Sequence, residues 1–172
     1  PPEASAVHHI TNKMVADRPL FRESQDYAPV KVLFESNDII PVAHNAKFDI
    51  GIFKKEGIDV PRFICTLRLA RHLDKENIIP RYNLQVLEAL FERLMTKMVE
   101  EINDKEKVME EMIKISSRPS LMNLFMFGKY NGKTVAEVAK IDRGYLDWML
   151  SQKLQNPIEE EDWIYTLKHY LK

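Results

Sequence analysis

The string His44-Asn45-Ala46-Lys47-Phe48-Asp49 holds the groups best placed to do chemistry. A short apolar approach, Ile39-Ile40-Pro41-Val42-Ala43, reads as a buried strand and delivers an imidazole and a carboxamide side by side. A carboxylate follows where a helix should begin. An Asp at that place can point into a cleft at the strand ends and offer oxygen to a hard dication such as Mg²⁺ or Mn²⁺. The same Asp can instead cap the helix, and the residue alone leaves both readings open.

The elements that must position this string are legible around it. Prolines punctuate residues 1–29, with a short helix expected over Glu3–Val7 and a further turn capped by Thr11 or Asn12. Val30–Phe34 reads as part of an amphipathic helix ending near Ser36-Asn37. Phe48–Lys55 carries helical spacing, with Gly57 as its stop. Phe63–Thr66 reads as a second strand and Leu67–Leu73 as a helix. Strand, helix, strand, helix implies an α/β domain. From Val86 the pattern changes: Leu87, Leu90, Phe91, Leu94, Met98 and Ile102 recur at helical spacing. This helix is expected to pack as core or as a strut, and Met95 and Met98 could alternatively suit a partner's groove. Asn103-Asp104 marks a break and a new cap, and Ser116–Ser120 reads as a linker. Beyond it, Phe125–Val135 reads as a hairpin turned by Asn131-Gly132, with positive φ expected at both turn residues. Helices are expected over Val135–Lys140, from Asp142 or Gly144 to Lys153, and over Glu160–Leu171.

Bulk properties narrow the class. At 172 residues, 45% hydrophobic and 30% charged, the chain suits one globular domain with a small module. A net charge of −1 argues against passive coating of nucleic acid, but not against an enzyme with a locally acidic site. The single cysteine, Cys65, excludes a disulfide framework and a cysteine zinc site, and implies a reducing, cytoplasmic setting. No apolar run reaches the ~18–20 residues a membrane span needs, and no signal peptide is expected.

The His44–Asp49 string with its approach resembles the second acidic motif of the DEDD-type (DnaQ-like) 3′–5′ exonucleases, the superfamily of the proofreading epsilon subunit of bacterial DNA polymerase III. Three further segments resemble the same family. Ala6–Thr11, followed by Met14-Val15 and Pro19–Phe21, is similar to the segment after its first acidic motif, near the terminal nucleotide. Cys65–Arg71 is similar to the following strand and helix, with Cys65 where the family usually has Asp. Tyr82-Asn83-Leu84 is similar to the start of the next helix. The resemblance covers residues 1–85 almost continuously.

This resemblance implies a ribonuclease H-like α/β fold, a mixed sheet flanked by helices, and metal-dependent release of nucleoside monophosphates from DNA 3′ ends. Asp49 would be the catalytic metal ligand for a pair of Mg²⁺ or Mn²⁺ ions. His8, Thr11, His44, Asn45 and Phe48 are candidate substrate contacts. Three of them also have a structural reading: His44 and Asn45 as braces of the turn, and Phe48 as core. Single-stranded DNA or a DNA 3′ end is the expected partner, with RNA and a DNA polymerase as further candidates. The rival readings are an exoribonuclease of the RNase T or oligoribonuclease type, and an inactive nucleic-acid-binding or polymerase-associated subunit.

Two family motifs depart from expectation. The first, Asp-x-Glu, would precede Pro1. The third, His then four residues then Asp, should follow Asn83-Leu84, yet Gln85 runs straight into Val86. The general-base His of the subgroup belongs to that third motif. One carboxylate cannot build a two-ion site. Omitted segments, a fragment and a degenerate relative are the three explanations, and the first is expected because the Gln85-Val86 join has no turn signal.

Phe127–Thr134, with Val138-Ala139, Asp142 and Gly144–Trp148, resembles the small module behind exodeoxyribonuclease X-like exonuclease domains. Tyr130, Tyr145 and Trp148 are expected in its core, with a basic-aromatic surface for single strands as the alternative. The expected organisation is an exonuclease domain over 1–102, a helical linker over 103–120, and a small α+β module over 121–172.

Overall fold

The computed structural model describes residues 9–74 and 95–172. The expected Glu3–Val7 helix, His8, Tyr82-Asn83-Leu84 and the Gln85-Val86 join lie outside the described residues.

A first short helix, α1 (Asn12–Val15), follows Thr11, which caps it without a side-chain hydrogen bond. After a 3₁₀ turn at Phe21–Glu23 comes α2 (Tyr27–Glu35). Strand β1 (Val42–Ala43) leads into α3 (Ala46–Lys55), and β2 (Ile64–Cys65) into α4 (Thr66–Leu73). The strands pair in parallel, Val42 against Ile64 and Ala43 against Cys65. The described residues are therefore helix-rich around one small parallel sheet, which is compatible with the expected α/β class.

Strand β1 is shorter than the apolar run that predicts it. Pro41 has no N–H to give a ladder, although its carbonyl accepts from Ile64 N at 2.9 Å. At the next turn the chain leaves β1 through Asn45, whose φ of 57° lies in the left-handed region that Asn tolerates. Helix α3 stops as expected: Gly57, at φ +76°, donates to Lys54 O, and Ile58 N reaches back to Phe53 O at 2.9 Å.

Residues 95–102 are helical, and α5 (Lys105–Ser117) follows. Asp104 caps α5 by accepting from Glu106 N and Lys107 N. Met98 is buried together with Ile64, Leu69, Val108, Met112 and Ile115, so this helical pair completes the core under the sheet. The linker expected at Ser116 is a correction: Ser116 is helical and fully buried. Its hydroxyl accepts from Cys65 N at 2.8 Å and donates to Met112 O at 2.7 Å, supplying β2 with a partner.

The C-terminal section comprises α6 (Val135–Ile141), α7 (Arg143–Lys153) and α8 (Glu161–Tyr170). A narrow hairpin precedes them, with Leu124 bridged to Thr134 and Phe125 N donating to Lys133 O at 2.9 Å. Its turn differs from expectation. Asn131 has φ −51° and ψ 130°, Gly132 has φ +83°, and Lys133 N donates to Tyr130 O. That is a type II turn, which needs positive φ at Gly132 alone. Phe125, Val135, Val138, Leu146, Met149, Trp163 and Leu167 form a separate core.

Candidate active site

Parallel pairing fixes what can meet at the sheet's edge. With Ala43 opposite Cys65, the residues just beyond the strands, His44 and Thr66, come side by side. His44 Nδ1 lies 3.2 Å from Thr66 Oγ1, so the imidazole is tethered at the carboxyl ends of both strands. In open α/β sheets that edge is where ligands bind. Asp49 sits in the first turn of α3 and is exposed, so its carboxylate is open to solvent next to this edge. Asn45 is exposed as well.

Phe48 is 66% exposed, which corrects its expected place in the core. The helix explains this: the covered face of α3 carries Ala46, Ile50 and Phe53, and Phe48 falls on the opposite side. Thr11 is exposed in its own turn, and among the described residues no hydrogen bond links it to the His44–Asp49 string.

Lys47 and Arg68 escaped the sequence reading. Both reach the C-terminal section. Lys47 Nζ and Arg68 Nη2 converge on Glu161 Oε2, the latter at 2.9 Å. Arg68 is 5% exposed; it also meets Asp162 Oδ1 at 3.1 Å and donates from Nη1 to Ser116 O at 2.8 Å. Arg71 Nη1 completes the cluster with Asp162 Oδ2 at 2.8 Å. Partial burial pushes the Glu161 carboxyl up, but the hydrogen bonds from Lys47 and Arg68 outweigh it and hold it below the usual carboxylate range. The first turn of α8 thus carries the anions that meet three cations of the sheet-bearing region, one of them two residues from Asp49.

The C-terminal section has its own polar knot. Asp142 caps α7 through Tyr145 N at 3.0 Å and accepts from Lys129 Nζ at 2.8 Å and the Tyr130 hydroxyl at 2.6 Å. Those bonds, Lys129 first, hold the Asp142 carboxyl down at about 2. Lys129 Nζ lies 4.8 Å from the Tyr130 ring centre and 5.2 Å from that of Tyr145. Tyr130 and Tyr145 pack against the core as expected, whereas Trp148 is 56% exposed beside Tyr145, against expectation.

A 3′–5′ exonuclease family model matches residues 9–122, and an exodeoxyribonuclease X-like C-terminal model matches residues 125–153. The chain belongs to the 3′–5′ exonuclease family. It is 34% identical to Exodeoxyribonuclease 10 of Escherichia coli strain K12 over 196 aligned positions, covering 99% of this chain and 79% of that protein. Exodeoxyribonuclease 10 of Escherichia coli O6:H1 matches to the same extent. No solved structure matches the chain. The exonuclease is accordingly a hydrolase acting on nucleic acid. An alignment of 196 positions against a chain of 172 residues leaves at least 24 positions of the relative without a counterpart here. The match to the C-terminal model ends at Lys153, yet Trp163 and Leu167 of α8 lie in that module's core.

Among the described residues, no group of three His, Cys, Asp or Glu side chains is placed to hold a metal ion, and no helix of the exonuclease is long and apolar enough to cross a membrane.

Proposed function

We propose that this exonuclease removes nucleoside monophosphates from the 3′ ends of DNA with the help of two divalent ions, Mg²⁺ or Mn²⁺, in the cytoplasm. The observation that carries the reading is the placing of the His44–Asp49 string at the carboxyl edge of the parallel pair. The likeness to an exodeoxyribonuclease over nearly all of this chain supports DNA as the substrate.

In this reading Asp49 gives one oxygen to a metal ion. Hard dications take several such donors, and Asp49 alone does not complete a site. In the family the remaining carboxylates and the general-base His come from a first and a third motif, neither of which is recognisable in this sequence. When bound, the ions would supply an activated water and charge stabilisation for the leaving oxygen. The chain's own residues do the positioning. His44, tethered by Thr66, presents its imidazole at the edge, Asn45 offers its amide at the same turn, and Phe48 offers an open ring face for a base. His8 and Thr11 would approach the terminal nucleotide from the N-terminal segment. Residues 1–102 would carry the chemistry, 103–120, packed under the sheet, would brace them and lead on, and 121–172 would hold the strand.

The test is hydrolysis of 5′-labelled DNA and RNA oligonucleotides of matched sequence by the native full-length protein. Release of monophosphates from DNA that needs added Mn²⁺ or Mg²⁺ is expected. Faster cleavage of RNA would move the substrate class, and binding without cleavage at any metal concentration would overturn the proposal.

A further inference from the structure

A cavity of about 490 Å³ opens between the exonuclease helices and the C-terminal module. Its lining includes Arg68, Arg71, His72, Glu111, Arg118 and Tyr165, drawn from α4, from α5 and the segment just after it, and from α8. Among its charged side chains, three arginines face one carboxylate. Arg68 and Arg71 are oriented by Glu161 and Asp162, whereas Arg118 is exposed and has no ion pair among the described residues. His72 is exposed likewise. The acidic member, Glu111, is paired to Lys114 at 2.9 Å. Tyr165 leaves 46% of its surface open beside this group, enough for a ring face.

We propose that this cavity is a second nucleic-acid site, which grips backbone phosphate with Arg118 and His72 and stacks a base on Tyr165. The ligand chemistry is a phosphate ester attached to a planar base. Guanidinium groups suit phosphate through their planar donor fork, and aromatic faces take any base. The site's place fits a strand that runs on from the sheet's edge. Helix α4 connects the two: Thr66 touches His44 at its first residue, and His72 lies in its last turn. At 1.5 Å per residue the separation along the axis is about 9 Å, roughly three phosphate steps at the ~3.4 Å spacing of a stacked strand. The proposal rests on the exonuclease reading above. It assigns the C-terminal module a share in holding the uncleaved part of the substrate.

The test is fluorescence anisotropy of a labelled single-stranded oligodeoxynucleotide with the full chain in a metal chelator, so that nothing is cleaved. Arg118→Glu should weaken binding about tenfold, and losing that phosphate contact should lower the slope of log affinity against log salt by about one. Arg118→Lys should restore most of the affinity, and Tyr165→Ala should weaken binding with no change in salt slope. A parallel arm titrates a deoxynucleoside monophosphate. Arg118-dependent binding of the monophosphate, competed by the oligonucleotide, would identify released product as the occupant, whereas binding of the oligonucleotide alone would identify the strand. Unchanged affinity and salt slope in both Arg118→Glu and His72→Ala, with cleavage intact in the parent, would overturn the cavity site alone. A parent that neither binds nor cleaves nucleic acid would overturn the exonuclease reading with it.

Discussion

The C-terminal module and the sheet-bearing region are built by different rules. The module's determinants are close in sequence. Thr134 and Glu137 form a reciprocal capping box at α6, Asp142 caps α7, and Gly132 sets the turn, all within eleven residues of Thr134. Its core is aromatic, with Phe125 stacked on Trp163 at 5.3 Å between ring centres. The sheet-bearing region works over distance. Cys65 is satisfied by Ser116, 51 residues on, and Lys47 by Glu161, 114 residues on. A region stabilised locally can be carried as a unit, whereas a site assembled over distance depends on every contributing segment being present.

The largest effect that sharpens this contrast is at the site. Asp49→Ala should slow monophosphate release by about 10³-fold or more, as loss of a metal ligand should, while the melting temperature stays put. A rate within tenfold of the parent would remove Asp49 from the chemistry. On the other side of the contrast, Phe125→Ala should cost about 3–5 kcal/mol, since the ring is fully buried. Both tryptophans, Trp148 and Trp163, lie in the module, so urea unfolding followed by Trp fluorescence reports this region. If far-UV circular dichroism unfolds at higher urea than fluorescence, the two regions are separable. Coincident transitions would show the junction to be strong enough to merge them.

Breaking the junction itself should have a smaller effect. Arg68→Met leaves Glu161 and Asp162 short of a partner and should destabilise the chain by about 2–3 kcal/mol, less than a fully buried pair would cost, because both carboxylates retain some solvent. A double-mutant cycle with Asp162→Asn measures the coupling; additive losses would mean that the pair does not hold the two regions together.

The mildest expected effect is on pH dependence. Asp142 falls from its ordinary 3.8 to about 2 in the folded chain, so its stabilising effect is complete above 3.8 and lost as pH drops toward 2. Asp142→Asn should flatten the module's acid unfolding within that window and leave it unchanged above. An unaltered acid limb would show that other carboxylates set it.

The sequence made the module's elements legible because caps and turns speak through neighbours. The helices at Val135, Arg143 and Glu161 and the cap at Asp104 all lie within a residue or two of expectation. Long-range features were not legible. Ser116 resembled a linker because Ser-Ser-Arg-Pro-Ser is turn-like composition, and only contact with Cys65 N makes its burial favourable. The ladder at Ile39–Ala43 shortened where Pro41 withholds a donor. At the site, His44 and Asp49 were visible by type, but Thr66 became a partner of His44 only through strand register. Lys47 looked like one solvated lysine among many until α8 folded back on it.

The meeting of Lys47, Arg68 and Arg71 with Glu161 and Asp162 also bears on how this protein can be cut for experiment. Truncating before α8 would do more than delete a helix. It would strip the counter-charges from a largely buried arginine and from a lysine two residues away from the candidate ligand, leaving surplus positive potential there. A shortened chain that lost activity would therefore not show that the C-terminal module binds substrate, and one that gained affinity for nucleic acid would not show that the module inhibits. Point substitutions that keep α8 in place separate those possibilities.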